Sequence, residues 1–277
     1  AIKRYFPIFV LPTMIAFTLG FIIPFVEGVY LSFCKFTTVN DAKFIGFANY
    51  AKVFADETFV HAFWYTAAFT VVSVILINVL AFAVALLLTK GFKGTNIFRT
   101  VFFMPNLIGG IVLGYIWQLL LNGILMKFSR TLTYSSTYGF WGLIILMCWQ
   151  QIGYMMIIYI AGIQNIPGEL IEAAEIDGAT KWQILKKVTI PMVMPSITVC
   201  TFLTLTNSFK LFDQNLALTN GEPSKMSEML ALNIFYTFYG RTGYEGVGQA
   251  KAVIFFILVT VIALTQNYLT RRKEVQQ

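Results

Sequence analysis

Charge is scarce in this sequence. Only 12% of its 277 residues are Asp, Glu, Lys or Arg, about half the ~25% usual for a soluble domain. Hydrophobic residues make up 57%, and the mean hydropathy is +0.72. A water-soluble fold of this length cannot hide so much apolar surface, so a soluble enzyme is all but excluded. Disorder, which needs little apolar content and much charge, is excluded as well. Histidine occurs once, as His61. With no second His or Cys at ligand spacing, no metal site is expected, and His61 reads as an interfacial anchor at the start of the second helix. The three cysteines, Cys34, Cys148 and Cys200, lie far apart in apolar stretches. They read as buried, reduced thiols rather than a disulfide or metal framework. No nucleophile–base arrangement is recognisable, so no catalytic residue is expected. The chain also lacks the G-x-x-x-x-G-K-[ST] phosphate loop.

Long apolar runs take the place of these features. Six segments are predicted to cross a hydrocarbon core of about 30 Å: 6–33, 62–89, 101–121, 139–163, 192–211 and 250–269. A seventh apolar stretch, 229–239, is short and reads as interfacial or re-entrant. Residues 5–33 are too long for a cleaved signal peptide and lack a clear cleavage site. Ala1 stands where an initiator Met would, so part of the native N-terminus is expected to be missing.

The net charge of +7 marks loops rather than a nucleic-acid surface in a chain of this kind. Eleven Lys and Arg fall on one side of the predicted helices and nine on the other. The first set, which includes Lys3, Arg4, Lys90, Lys93, Arg99, Lys181, Arg272 and Lys273, crowds into short segments beside helix ends. Those positions decide orientation. Both termini and the loop 164–191 are therefore expected in the cytoplasm.

Several helices carry breakers: Pro12 and Pro24 in the first, Pro105 in the third, Pro195 in the fifth. Proline removes a backbone hydrogen bond, and in lipid the freed carbonyl needs another partner. Gly110 and Gly114 share one face of the third helix, where another backbone can approach closely. The central portions of the six segments hold no Asp, Glu, Lys or Arg. That weighs against a proton- or sodium-driven pump, which places an ionisable group near the midplane. Lys210 and Asp213 sit at the outer end of the fifth helix, three apart and able to pair. Neutral polar residues do occur at depth: Gln150, Gln151 and Tyr154 in the fourth helix, and Thr204, Asn207 and Ser208 in the fifth. Hydrogen-bonding groups beside an aromatic face suit a sugar. They suit ordinary interhelical hydrogen bonds equally well.

Loop 164–191 is the least ordinary part of the sequence. It reads QNIPGELIEAAEIDGATKWQILKKVTIP. Asn165 and Pro167 are good helix starters, and Glu169, Glu172 and Glu175 favour the positive end of a helix dipole. Ala173 and Ala174 keep one face small, and Asp177-Gly178 provides a stop. A second helix is predicted from about Thr180 to Val188, with Trp182, Leu185 and Val188 as its apolar stripe. Pro191 then begins the fifth membrane helix. Four acidic against three basic side chains fit a protein groove better than an anionic lipid surface.

These residues resemble the EAA loop of permeases from binding-protein-dependent ABC importers: Glu172-Ala173-Ala174, then Gly178, then Ile190-Pro191. The string EAAEIDGATKWQ…VTIPMVMP is similar to the carbohydrate-uptake branch. Trp149-Gln150, Gly153-Tyr154, the run from Ala161 to Pro167, Phe212-Asp213 and Pro105 match in register. Leu218-Thr219-Asn220-Gly221-Glu222-Pro223 resembles the family's outer LTxGGP stretch, with Glu222 departing from its second glycine.

The resemblance implies an all-α, six-helix type I importer permease fold over residues 1–277, with 164–191 as its cytoplasmic coupling loop. Glu172, Ala173, Ala174, Asp177, Gly178, Ile190 and Pro191 would dock on an ATPase. Gln151, Tyr154, Thr204, Asn207 and Ser208 would line the substrate path. The implied partners are a second homologous permease, two ATPase subunits and an extracytoplasmic solute-binding protein, in a bacterial cell membrane. ATP and Mg would be bound by the ATPase subunits, leaving this chain without a cofactor and not itself an enzyme. The implied substrate is a sugar or oligosaccharide; a non-sugar solute such as glycerol phosphate, or a stand-alone secondary transporter, is the alternative.

Overall fold

The computed structural model describes residues 2–91 and 93–272. Of the residues weighed for topology, Ala1 and Lys273 lie outside these, as do the side chains of Lys3 and Arg4. The described residues include α1 (Ile2–Phe17), α2 (Ile23–Leu31), a small antiparallel hairpin of β1 (Cys34–Lys35) and β2 (Lys43–Phe44), α3 (Ala48–Phe54) and α4 (Glu57–Leu88). There follow α5 (Thr95–Phe103), α6 (Gly110–Leu125), α7 (Ser136–Gln164), α8 (Gly168–Ile176), α9 (Lys181–Ile184) and α10 (Ile190–Met192). The chain continues through α11 (Met194–Phe209), α12 (Asp213–Leu218), α13 (Leu230–Tyr239) and α14 (Glu245–Arg271). Among the described residues, five helices are long and apolar enough to cross a membrane, or six when the bent pair Lys181–Met192 and Met194–Phe209 counts as one.

The prolines explain most departures from six plain helices. A proline at position i clashes with the carbonyl at i−4 and donates no hydrogen bond. The backbone answers twice with a π turn just upstream: Thr18–Ile22 before Pro24, and Leu185–Thr189 before Pro191. Each wide turn closes through an i to i−5 bond, from Ile23 N–H to the Thr18 carbonyl and from Ile190 N–H to the Leu185 carbonyl. At Pro105 the chain breaks instead. A 3-10 turn, Met104–Leu107, leads to extended backbone at Gly109 (φ −60°, ψ 142°). The expected third helix, 101–121, is therefore two helices, and its membrane span starts at Gly110.

The fifth segment also differs from expectation. It does not start at Pro191 but bends by 69° at Val193, beyond that proline. The 16 residues of α11 rise about 24 Å at 1.5 Å each, short of a ~30 Å core. The sixth span begins five residues earlier than predicted, at Glu245 rather than Ala250.

The chain forms two compact units. The first comprises residues 1–60 and 233–258. Here the span Ile8–Leu31 leaves its apolar side chains facing outward, as a lipid-facing helix does. Buried Asn49 donates to the carbonyls of Ser32 (2.9 Å) and Cys34 (2.8 Å), tying α3 to the hairpin. Phe25 meets Phe256 edge-on at 4.9 Å. Lys251, expected in an outer loop, lies inside α14 and is completely buried. Its ammonium donates to Asp56 Oδ2 (2.7 Å), Asn233 Oδ1 (2.7 Å) and Thr237 Oγ1 (2.8 Å). With all three donors satisfied, a lysine can sit within an apolar helix.

The second unit comprises residues 61–232 and 259–277 and is built around α7. Leu143, Leu146, Met147, Met155, Met156 and Tyr159 of α7 are fully buried in one cluster with Phe69, Ile77 and Leu113. The predicted close approach at Gly110 and Gly114 is present: α12 packs there, and a Cβ on Gly114 would lie 2.7 Å from Ala217 Cβ. Gly153 serves α7 in the same way, because a Cβ there would collide with the Phe102 carbonyl. Lys210 and Asp213 flank the break between α11 and α12, so they do not share one continuous helix face. His61, near the start of α4, has its Nε2 3.0 Å from the Met226 carbonyl. Cys34 and Cys200 are buried and Cys148 is half-buried, all as free thiols.

Candidate functional site

The segment 164–191 folds as two short helices with a built turn between them. Helix α8 starts after Pro167 and carries Glu169 in its first turn. At its end, Gly178 N–H donates to the Glu175 carbonyl (3.0 Å) and Ala179 N–H to the Ala174 carbonyl (3.0 Å). That pair of bonds is a Schellman motif, and it requires a left-handed residue at Gly178, whose φ is +77°. Two residues on, Thr180 and Gln183 cap each other's backbone: Gln183 N–H donates to Thr180 Oγ1 and Thr180 N–H to Gln183 Oε1. This capping box starts α9. The turn and the cap together fix the direction in which α9 leaves α8.

The faces of these helices are partly unexpected. Ile166 and Ile184 turn inward. Trp182, predicted to lie on the apolar stripe, is 69% exposed, and Ile176 is 86% exposed. Glu172, Ala173, Asp177 and Gly178 are exposed as well, while Ala174, Ile190 and Pro191 are half-buried. Small, acidic and large apolar residues are thus all exposed on this segment.

The polar residues at depth form rungs between α7 and its neighbours. Gln150 Oε1 accepts from Gln214 Nε2 at 2.9 Å, joining α7 to α12. Gln151 Oε1 accepts a long bond from Asn207 Nδ2 at 3.5 Å, joining α7 to α11. Thr204 is fully buried, donating to the Cys200 carbonyl (2.7 Å) and accepting from Asn78 Nδ2 (3.3 Å). Asn78 accepts in turn from the Tyr159 hydroxyl at 2.7 Å. Thr204 therefore belongs to a helix–helix seam, where lipid-depth polar groups are satisfied internally. Tyr154 and Asn207 are half-buried, and Ser208 is fully buried. The structure brings Gln151 and Asn207 together, while Thr204, one turn before Asn207, bonds instead to Asn78 of α4.

Two features escaped the sequence reading. Asn78 lies in an apolar run of α4 that carries no periodic polar signal. Lys251 counts among the outer-side charges in the sequence, although the predicted segment 250–269 already contains it. The signal that identifies it is Asp56, which lies just before α4 and is its ion-pair partner.

Comparison with known proteins agrees with this architecture. Residues 77–275 match the family described as the binding-protein-dependent transport system inner membrane component. A probable starch degradation products transport system permease of Thermoanaerobacterium thermosulfurigenes is 42% identical over 97% of this chain and 94% of its own length. A multiple sugar-binding transport system permease of Streptococcus mutans is 28% identical over 96% of this chain and 95% of its own. Among solved structures, a bacterial ABC transporter involved in import of the acidic polysaccharide alginate superimposes with a TM-score of 0.82 at 23% identity, covering 98% of this chain and 97% of that one. The family match alone spans well over half of the sequence, and the chain belongs to the binding-protein-dependent transport system inner membrane components.

Proposed function

We propose that this chain is one permease subunit of an ATP-driven, binding-protein-dependent importer for a sugar or oligosaccharide. The observation that carries the reading is the segment 164–191. Two capped helices are held at a set angle by Gly178, and Ile176 and Trp182 are exposed beside Glu172, Ala173 and Ala174. Such a surface fits a groove on a soluble subunit. The chain has no phosphate loop of its own, so ATP and Mg belong to that subunit. The sugar follows from relatives named for starch degradation products, multiple sugars and, in Thermococcus litoralis, trehalose and maltose. The complex would hold a second homologous permease, two ATPase subunits and an extracytoplasmic solute-binding protein. A solved relative of the same fold is a complex with its pentasaccharide-bound periplasmic protein. The chain would lie in a bacterial cell membrane with both termini cytoplasmic.

In this reading the ATPase moves α8 and α9, and Ile190 and Pro191 pass the motion to α11. Gln151, Tyr154, Asn207 and Ser208 would line the path, while Thr204 holds the seam with α4. The test is the purified complex carrying Ala174→Trp or Gly178→Val. The first blocks close approach. The second disfavours the left-handed turn by about 1–2 kcal/mol. Loss of the ATPase subunits or of binding-protein-stimulated hydrolysis, with membrane insertion intact, is the expected result. Variants that keep both would remove the coupling role from this loop.

A further inference from the structure

Where α6 turns into α7, a crevice of about 260 Å³ opens on the surface of the second unit. Leu121, Leu125, Leu132, Trp141 and Ile145 line it, and its walls are almost wholly apolar. Trp141 and Ile145 are each about half exposed, so the crevice is continuous with the outward surface of two membrane spans. An apolar groove at this place has hydrocarbon for its surroundings, which is the solvent that fills it at least cost.

The rim has the opposite character. Just past the end of α6 stand Lys127 and Arg130, both exposed. The loop that carries them is fixed: Leu132 N–H donates to Asn122 Oδ1 at 2.8 Å, and Arg130 N–H to the Leu125 carbonyl at 3.2 Å. The Arg130 guanidinium donates to the hydroxyl of Tyr138, a residue that also lines the crevice. It lies over the rings of Tyr134 (5.1 Å) and Tyr138 (5.7 Å). Aromatic faces orient the guanidinium plane without neutralising it. No Asp or Glu occurs between Glu57 and Glu169 in the sequence. Among the described residues, neither Lys127 nor Arg130 makes an ion pair with a carboxylate.

An apolar slot that ends at two uncompensated cations is complementary to an amphiphile with an anionic head. We propose that this crevice binds one acyl chain of an anionic phospholipid, with the headgroup phosphate held by Arg130 and Lys127. Arg130 supplies the directed hydrogen bonds that suit phosphate, and Lys127 adds charge. A zwitterionic lipid fills the same slot but gains less at the rim.

Native mass spectrometry of the purified complex, with added phosphatidylglycerol or phosphatidylcholine, tests this. Lys127→Gln combined with Arg130→Gln should lose one tightly held phosphatidylglycerol per chain and leave phosphatidylcholine retention unchanged. An unchanged phosphatidylglycerol count in the double variant, or equal retention of both lipids by the unaltered complex, overturns the proposal. A second measurement follows fluorescence with Trp141 kept as the one tryptophan of the five, the others replaced by Phe. Phosphatidylglycerol brominated on its acyl chains should quench Trp141 at a mole fraction roughly five-fold below that for the brominated phosphatidylcholine. Absence of quenching by either lipid would show a protein partner covering the crevice, and would equally overturn it.

Discussion

Lys251 Nζ lies 2.7 Å from Asp56 Oδ2, and no part of the lysine side chain is exposed. The carboxylate retains 19% exposure, so the two partners are not equivalent. Removing Asp56 strands a buried ammonium, whereas removing Lys251 leaves a carboxylate that can still reach solvent. Asp56→Ala should therefore cost about 3–5 kcal/mol, and Lys251→Met clearly less. The double variant should recover much of the loss from Asp56→Ala. Thermal unfolding of the purified chain in detergent reads all three. Strictly additive effects would mean that the pair is not coupled.

The same pair predicts an acid limit. Burial pushes the Asp56 carboxyl up, but hydrogen bonds from Lys251 and Thr58, with the lysine's charge, outweigh it and hold the pKa at about 2. In the unfolded chain the group titrates near 3.9. Because the folded value is the lower one, the contribution to stability is complete above about pH 4 and is lost as pH falls toward 2. The melting temperature should change little from this source between pH 8 and 5, then drop below about pH 4. The low-pH drop should shrink in Asp56→Asn; an identical pH profile in that variant would contradict the assignment.

Tyr154→Ala and Asn207→Ala should each weaken uptake while leaving the complex assembled, since both residues are half-buried, Asn207 bonded to Gln151 and Tyr154 one turn along α7 from it. Thr204→Val should behave differently. It removes the acceptor for Asn78 and should lower stability by roughly 1 kcal/mol. Full uptake by both alanine variants would take the solute path away from this subunit.

Topology can be read by single-cysteine labelling from outside intact cells. Lys43→Cys and Lys225→Cys should label; Lys181→Cys and Arg272→Cys should not. All four positions are exposed and native Cys34 and Cys200 are buried, so replacing half-buried Cys148 by Ser keeps the background low. Labelling at 181 would reverse the proposed orientation.

What sequence revealed divides along physical lines. Hydrocarbon demands long apolar runs, so the second and fourth spans lay within a few residues of α4 and α7. The Schellman turn at Gly178 was legible because only a few residue types tolerate a positive φ. Breaks were harder. Pro24 and Pro105 mark disruption and Pro191 marks a helix start, but whether the backbone widens into a π turn or separates into two helices depends on what packs beside it. At Gly153 the neighbour is the Phe102 carbonyl, a contact that no local pattern contains. Lys251 was misplaced for a related reason. Hydropathy prices a lysine as though it were alone, and its cost vanishes only with partners drawn from positions 56, 233 and 237.

If residues 181–192 take up the motion of an ATPase as proposed, the 69° bend at Val193 makes residues 181–209 a bell crank. A shaft pushed along the line of α9 cannot deliver that push along α11; most of it arrives as a sideways swing. A swing separates or closes neighbouring helices without forcing any of them to slide through the bilayer, so their polar ends stay in water throughout. The crank needs stiff arms and one fixed elbow. Pro191 and Pro195, set on either side of Val193, confine the elbow to that point.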